Sequence, residues 1–353
     1  MLKNLFTVLL RATDETPEYH GKRCLVERQA VGGCDLCQTA CPHDAVRLGL
    51  AGIDVERDAC TGCGICVQVC PTGALEFELA PQLGLLKDQG RARAGEPRQP
   101  ARLQCSKVKA DGPTVLCLGR VTPATVLAPR GTGQELELWH ADCSSCRVGG
   151  PSVPRELQEV LETASRYRET LGQGKAPARM VHWTEEVGVA PAPPPAPALT
   201  RREAVGALFA GAKRTGAKII PDQVLPGIQT RPDAAPVPDE WLWRQRALRP
   251  APPAGSEQHW PVPTVDEKCT MCPVCQNVCP TDAITRELDE AGTYSLKLRV
   301  DACTGCEACL RSCPPDAIRM SPTVPYEAIG GTVVLREEAP LTAQDGDALV
   351  GKA

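Results

Sequence analysis

The sequence predicts an α+β chain in which two compact, loop-rich modules flank a small α/β domain built on a parallel sheet, with Pro-rich linkers joining them. Three observations lead there. The 353 residues include 20 cysteines, which fall into five groups of four: two groups towards each end and one between. Hydrophobic runs between residues 113 and 183 alternate strand, helix, strand, helix, strand, the order that gives a parallel sheet covered by helices. Two proline-rich stretches, residues 191–197 and 250–255, interrupt regular structure as stiff, extended spacers. The resulting boundaries are 1–100 for the N-terminal module, 101–185 for the α/β domain, 186–260 for a linker with a short helix, and 261–353 for the C-terminal module.

Taken in order, residues 5–10 (Leu-Phe-Thr-Val-Leu-Leu) are apolar but short, and no small-residue cleavage site follows. They read as a docking or first-core helix rather than a secretory signal. The first complete cysteine run is Cys60, Cys63, Cys66 and Cys70, written C-x2-C-x2-C-x3-C-P. Cys269, Cys272, Cys275 and Cys279 repeat it, as do Cys303, Cys306, Cys309 and Cys313. A fourth copy is incomplete: Cys34, Cys37 and Cys41 precede Pro42, but Val31 stands where a cysteine is due, and Cys24 is the candidate replacement. Behind the fourth cysteine comes a repeated phrase, Pro42-His43-Asp44-Ala45, Pro71-Thr72-Gly73-Ala74, Pro280-Thr281-Asp282-Ala283 and Pro315-Asp316-Ala317.

Short x2 steps present several thiolates to one small body, which is what the irons of a cubic iron-sulfur cluster require. Gly and Thr within the runs keep side-chain bulk low beside such a cluster. Structural zinc takes its cysteines in two pairs, and sulfurs crowded this tightly suit disulfide geometry poorly.

On these motifs residues 20–80 and 264–322 each resemble the bacterial dicluster ferredoxin family. In that family the fourth cysteine of each run ligates the other run's cluster. The resemblance therefore implies 4Fe-4S clusters on Cys41, Cys60, Cys63 and Cys66, on Cys269, Cys272, Cys275 and Cys313, and on Cys279, Cys303, Cys306 and Cys309. Cys34, Cys37 and Cys70 supply most of the remaining site. If Cys24 reaches in across nine residues that cube is complete; if not, three ligands remain and a 3Fe-4S or site-open cluster results. Counting by fours assigns Cys24 to it.

In the middle of the chain, residues 113–119 read as a short buried strand, 122–128 as a short helix, and 135–140 as an alternating strand running into Asp142-Cys143-Ser144-Ser145-Cys146. Ser152 and Pro154 open a helix to Leu171, closed by Gly172, with Val153, Leu157, Val160, Leu161, Ala164 and Leu171 on one face. Residues 178–183 form a last strand. Cys105, Cys117, Cys143 and Cys146 then fall at strand ends, where such sheets bind ligands. Around Cys117-Leu118-Gly119-Arg120-Val121, Pro123, Asp142-Cys143 and Cys146, residues 103–185 resemble the iron-sulfur delta subunit of methyl-viologen-reducing hydrogenases. That resemblance implies a fifth iron-sulfur centre on these four cysteines. The spacing C-x11-C-x25-C-x2-C is also similar to thioredoxin-like 2Fe-2S ferredoxins, so 4Fe-4S and 2Fe-2S both stand, and a four-cysteine zinc site is the alternative. A redox-active Cys143/Cys146 pair would leave Cys105 and Cys117 unexplained. Arg120 reads either as a donor towards the cluster or as a surface ion pair, and His140 as a strand-end surface residue.

In the linker, Thr200 with Glu203 forms a capping box opening a helix through Lys213, a better reading of Arg201-Arg202 than an export signal. Trp241 and Trp243 make an apolar patch that either packs the modules together or docks a partner.

Composition narrows the function. Aromatic residues are only 3%, a thin supply for conventional cores that clusters would help fill. The formal charge of −4 becomes about −12 with four loaded sites at about −2 each. An acidic protein of this kind suits basic docking surfaces on redox partners and argues against nucleic acid as the ligand. No stretch approaches the ~20 apolar residues of a spanning helix, and cysteine usage points to a reducing, cytoplasmic setting. No phosphate loop, dinucleotide fingerprint or nucleophile with its base is present, so no catalytic residue is assigned. The expected function is single-electron relay between a donor oxidoreductase and an acceptor. An electron-conducting subunit of a dehydrogenase, hydrogenase or reductase is the alternative, and an iron-sulfur redox sensor a weaker one, since no output surface such as a helix-turn-helix is found.

Overall fold

The computed structural model describes residues 16–50, 52–89, 100–128, 135–170, 178–184, 237–248, 252–290 and 292–338. The expectations for residues 5–10, the spacer at 191–197, the helix opened by Thr200 and the helix end at Leu171 and Gly172 lie outside these residues. The elements that follow belong to one compact unit.

In the N-terminal module β1 (Glu18–Tyr19) precedes the first cysteine run, and the hairpin β2 (Val46–Gly49) and β3 (Gly52–Val55) separates it from the second. β4 (Leu75–Glu76) follows the second run and returns antiparallel to β1. Two one-turn helices, α1 (Leu36–Thr39) and α2 (Ile65–Gln68), carry Cys37 and Cys66. Then α3 (Ala80–Gln89) leads towards the central domain.

There, β5 (Ala101–Cys105), β6 (Thr114–Val115), β7 (Leu136–His140) and β8 (Ala178–His182) form a sheet of order β6-β5-β7-β8, parallel at every pairing. Two helices accompany it: α4 (Pro123–Leu127), opened by a Thr122/Thr125 capping box with Pro123 at its first turn, and α5 (Val153–Glu169). As its periodicity required, α5 buries Val153, Leu157, Val160, Leu161 and Ala164, and also Tyr167. The sheet holds one strand more than the sequence pattern indicated. β5 is an interior strand, yet only five residues long, with polar Gln104 buried in it; its Nε2 donates to Ala110 O at 2.5 Å and to Thr114 Oγ1 at 3.2 Å. The buried strand expected over 113–119 contracts to an edge strand of two residues, because the chain turns away at Cys117 into a tight 3-10 turn.

The linker's Trp pair packs inward. On α6 (Asp239–Ala247), Trp241 is buried, lying with Pro238 against Gly73, and Trp243 packs on Leu79, Leu83 and Ala124. Glu240 accepts from Arg244 Nε at 2.7 Å and from the Ala124 amide of α4 at 2.9 Å.

The C-terminal module repeats the strand plan of the first with longer strands. β9 (Glu257–Val265) pairs with β12 (Ile318–Pro325), and β10 (Ile284–Leu288) with β11 (Tyr294–Arg299), whose free edge takes β13 (Thr332–Glu338). The one-turn helices α7 (Val274–Val278) and α8 (Ala308–Arg311) carry Cys275 and Cys309. Trp260 is fully buried, donates to Val300 O at 2.8 Å and meets Tyr167 of α5 edge-on. One hydrophobic core thus runs from Cys63 and Leu103 through Tyr167 to Leu298. The modules flank the sheet in sequence but share a core with it in space.

His259 gives this junction a pH signature. Its ring stands 5.0 Å from that of Tyr167; burial first, then Arg166 and Arg244, lowers its pKa to about 4. An unfolded histidine titrates near 6.5, so the stability gained by keeping His259 neutral is complete above that pH and is lost as pH falls towards 4. Between pH 7 and pH 5 this partly exposed histidine, its shift discounted for solvent screening, is expected to remove about 1 kcal/mol, read from urea midpoints, and His259→Gln should lose less over the same interval.

Candidate metal centres

The cysteine runs form one kind of loop four times. The residue before the second cysteine position is left-handed in each: Gly33 (φ 56°), Gly62 (φ 67°), Met271 (φ 54°) and Gly305 (φ 69°). This turn lets the next sulfur double back, and three of the four positions meet its steric demand with glycine. The third cysteine then sits on a one-turn helix. After the fourth, Asp44, Gly73, Asp282 and Asp316 are again left-handed, which aims the following alanine amide back at the sulfur. Ala45 N donates to Cys41 Sγ at 3.3 Å, Ala74 N to Cys70 at 3.2 Å, Ala283 N to Cys279 at 3.3 Å, and Ala317 N to Cys313 at 3.3 Å. The repeated Pro phrase in the sequence is therefore a hydrogen-bonding device, a role its pattern alone did not disclose.

These loops gather the cysteines in crossed sets. Cys41, Cys60, Cys63 and Cys66 line one cavity, and Cys279, Cys303, Cys306 and Cys309 another. Cys24, Cys34, Cys37 and Cys70 line a third. Cys275 has Cys269, Cys272 and Cys313 as electrostatic neighbours. Val31 is 60% exposed and its amide donates to Ser312 Oγ at 3.0 Å in the other module, while Cys24, buried, faces the cavity in its stead.

Burial raises the thiols, to about 12 at Cys37 and Cys309 and about 11 at Cys275, with neighbouring cysteines adding to the effect. Thiolates here need a cationic body between them, so loading must release protons and become easier as pH rises.

The middle quartet has a different frame. Cys105 ends β5, Cys117 opens the 3-10 turn, and Cys143 and Cys146 follow β7. They line a cavity together with Lys107, His140 and Gly149. A side chain at Gly149 would meet Cys117 Sγ at 2.6 Å, so only glycine leaves room. Burial by itself would raise Cys146, but the amides of Gly149, Val148 and Gly150, with Lys107, bring it below its ordinary value. Converging backbone amides of this kind form an anion-binding nest; residues 148–150 went unread in the sequence because amides leave no side-chain signature. Burial raises Cys143 to about 11 and Cys117 to about 12. His140 proves half-buried rather than a surface residue: Nδ1 lies 3.9 Å from Cys143 Sγ, and the ring stacks edge-on against His182. Arg120 reaches the neighbouring module, donating from Nε to Gly62 O at 2.7 Å and lying over Phe77. Among the described residues no three cysteine, histidine or carboxylate side chains stand close enough to hold a single ion.

Comparison with protein families places a 4Fe-4S dicluster domain at residues 32–75 and another at residues 268–317. No curated protein and no solved structure matches the chain. Two such domains imply four 4Fe-4S clusters and suggest iron-sulfur electron transfer with redox partners. Among the described residues no helix is long and apolar enough to cross a membrane.

Proposed function

We propose that this chain is a five-centre iron-sulfur relay protein, passing single electrons between a donor oxidoreductase and an acceptor. The observation that carries the reading is the recurrence of one environment: four cysteine quartets each line a cavity of their own, and backbone amides point at sulfurs in each. When bound, the clusters supply reversible one-electron chemistry. The protein's residues do the rest. The quartets hold the irons, with Cys24 completing the set that Val31 leaves open. The alanine amides offset sulfur charge, which raises the reduction potential. The core of Leu103, Leu138 and Tyr167 fixes the modules against one another. Cys105, Cys117, Cys143 and Cys146 hold the fifth centre, 4Fe-4S or 2Fe-2S. The resemblance read in the sequence around Cys117–Val121, Pro123, Cys143 and Cys146 favours a second form of the reading, in which the chain is the conducting subunit of a complex whose catalytic subunit is separate. The acidic loaded chain suits basic partner surfaces, and twenty free cysteines suit a reducing compartment such as the cytoplasm.

Coulometric reduction of the anaerobically purified protein tests this. About five electrons per chain are expected, one for each centre; four would make the middle site structural, and two or fewer would sink the relay. Cys24→Ala is expected to convert one centre to a three-iron species, visible as a new paramagnetic signal in the oxidised protein. An unchanged spectrum would remove Cys24 from the ligands.

A further inference from the structure

Direct contacts join the ligand loops of neighbouring sites. The middle site abuts the loop of Cys60 and Cys63: a side chain at Gly119 would strike Cys63 O at 2.6 Å. Gln68 Nε2 donates to Val121 O at 2.6 Å, and Val148 O accepts from Thr61 Oγ1 at 2.7 Å. Within the N-terminal module Cys66 and Cys37 share one hydrophobic cluster with Val46 and Leu75. On the far side, Leu25 and Ala30 pack on Val278 and Ala308, with Cys34 and Cys306 against the same cluster. Arg28 Nη2 pairs with Asp282 at 2.9 Å across this boundary. Arg311 donates to Cys306 O at 3.1 Å and is a charge neighbour of both Cys34 and Cys306, a cation between two sites that become anionic when loaded. Inside the C-terminal module Cys275 is a charge neighbour of Cys309.

We propose that the N-terminal module is the bridge of the relay, the five sites running in the order Cys105/117/143/146, Cys41/60/63/66, Cys24/34/37/70, Cys279/303/306/309, Cys269/272/275/313. This order rests on the five-centre reading. It differs from the order along the chain, in which the middle domain would join the two modules. It also makes the middle domain one terminus and the Cys269 site the other, so the donor and acceptor proteins dock at opposite ends. The displaced first run has a reason in this arrangement: residues 25–31 are occupied in gripping the C-terminal module, and Cys24 supplies the sulfur that Val31 cannot.

Paramagnetic resonance of the fully reduced protein tests the order without turnover, because adjacent reduced centres broaden and split each other's signals. Cys60→Ala with Cys63→Ala, deleting the second site, is expected to abolish the splitting of the middle-site signal and leave the C-terminal pair coupled. Deleting the fourth site with Cys303→Ala and Cys306→Ala should leave the middle-site splitting unchanged. The reverse pattern overturns the order. Where a deletion prevents folding, Cys63→Ser keeps the site with a harder oxygen ligand and a lower potential; poising the protein so that this site alone stays oxidised and silent should likewise remove the middle-site splitting. Iron content separates the two failures: fewer than five centres in the unmodified protein defeats the reading beneath, whereas five centres with another coupling pattern defeats the order alone.

Discussion

Gly64→Val is expected to destabilise the protein by about 2–6 kcal/mol and to loosen the N-terminal module from the central domain. Gly64 caps α2 with φ 91°, a left-handed conformation that costs a β-branched residue about 1–3 kcal/mol. Its added Cβ would also stand 2.7 Å from Gly119 O and 2.9 Å from Arg120 Cα, both backbone atoms that cannot swing aside. Such overpacking adds about 1–3 kcal/mol. Because α2 carries Cys66 and the opposing turn follows Cys117, the clash falls between two sites. Urea midpoints check the magnitude. The control is Gly84→Ala in α3, where an added Cβ meets nothing within 4 Å and a gain of up to about 1 kcal/mol is expected from helix propensity.

Arg23→Met is expected to cost about 3–5 kcal/mol, the range for removing one partner of a buried ion pair. Arg23 is 3% exposed; its Nη1 donates to Gly73 O at 2.9 Å and to Glu76 Oε2 at 2.6 Å. Glu76 also lies 3.2 Å from His20 Nε2 and accepts the Asp239 amide at 2.8 Å, so one carboxylate ties β4 to the start of the first cysteine run and to α6. Burial pushes Glu76 upwards, but the bonds from His20 and Arg23 outweigh it and hold the carboxyl below its ordinary value. The associated stability is therefore present above the unfolded carboxyl pKa, near 4.3, and is lost as pH falls through the lower folded value. Arg23→Met should flatten that acid limb as well as lower the midpoint.

Much of this was legible in the sequence because thiolate spacing is a local code. The runs 60–70, 269–279 and 303–313 define their own loops through x2 steps and left-handed residues. The five sets of four could be counted before any contact was known. Helix α5 was legible for the same reason, its apolar stripe being long and periodic. What escaped depends on contacts distant in sequence or on backbone atoms. Strand β5 is five residues long with a buried glutamine, and only its neighbours on both sides identify it as an interior strand. The amides of Gly149 and of Ala45, Ala74, Ala283 and Ala317 act without side chains. The packing of residues 25–31 on Val278 and Ala308 spans some 250 positions, and nothing local announces it. Trp241 and Trp243 carry no local mark of their partners, because Gly73, Leu83 and Ala124, against which they pack, lie far off in sequence.

The most direct test of the five-centre account is the iron, acid-labile sulfide and zinc content of the anaerobically purified chain. About 20 irons, or about 18 if the middle centre is 2Fe-2S, with no zinc, is the predicted result. About 16 irons with one zinc would contradict it by confining iron to the two dicluster domains, and fewer than about 12 after reconstitution would contradict the relay altogether.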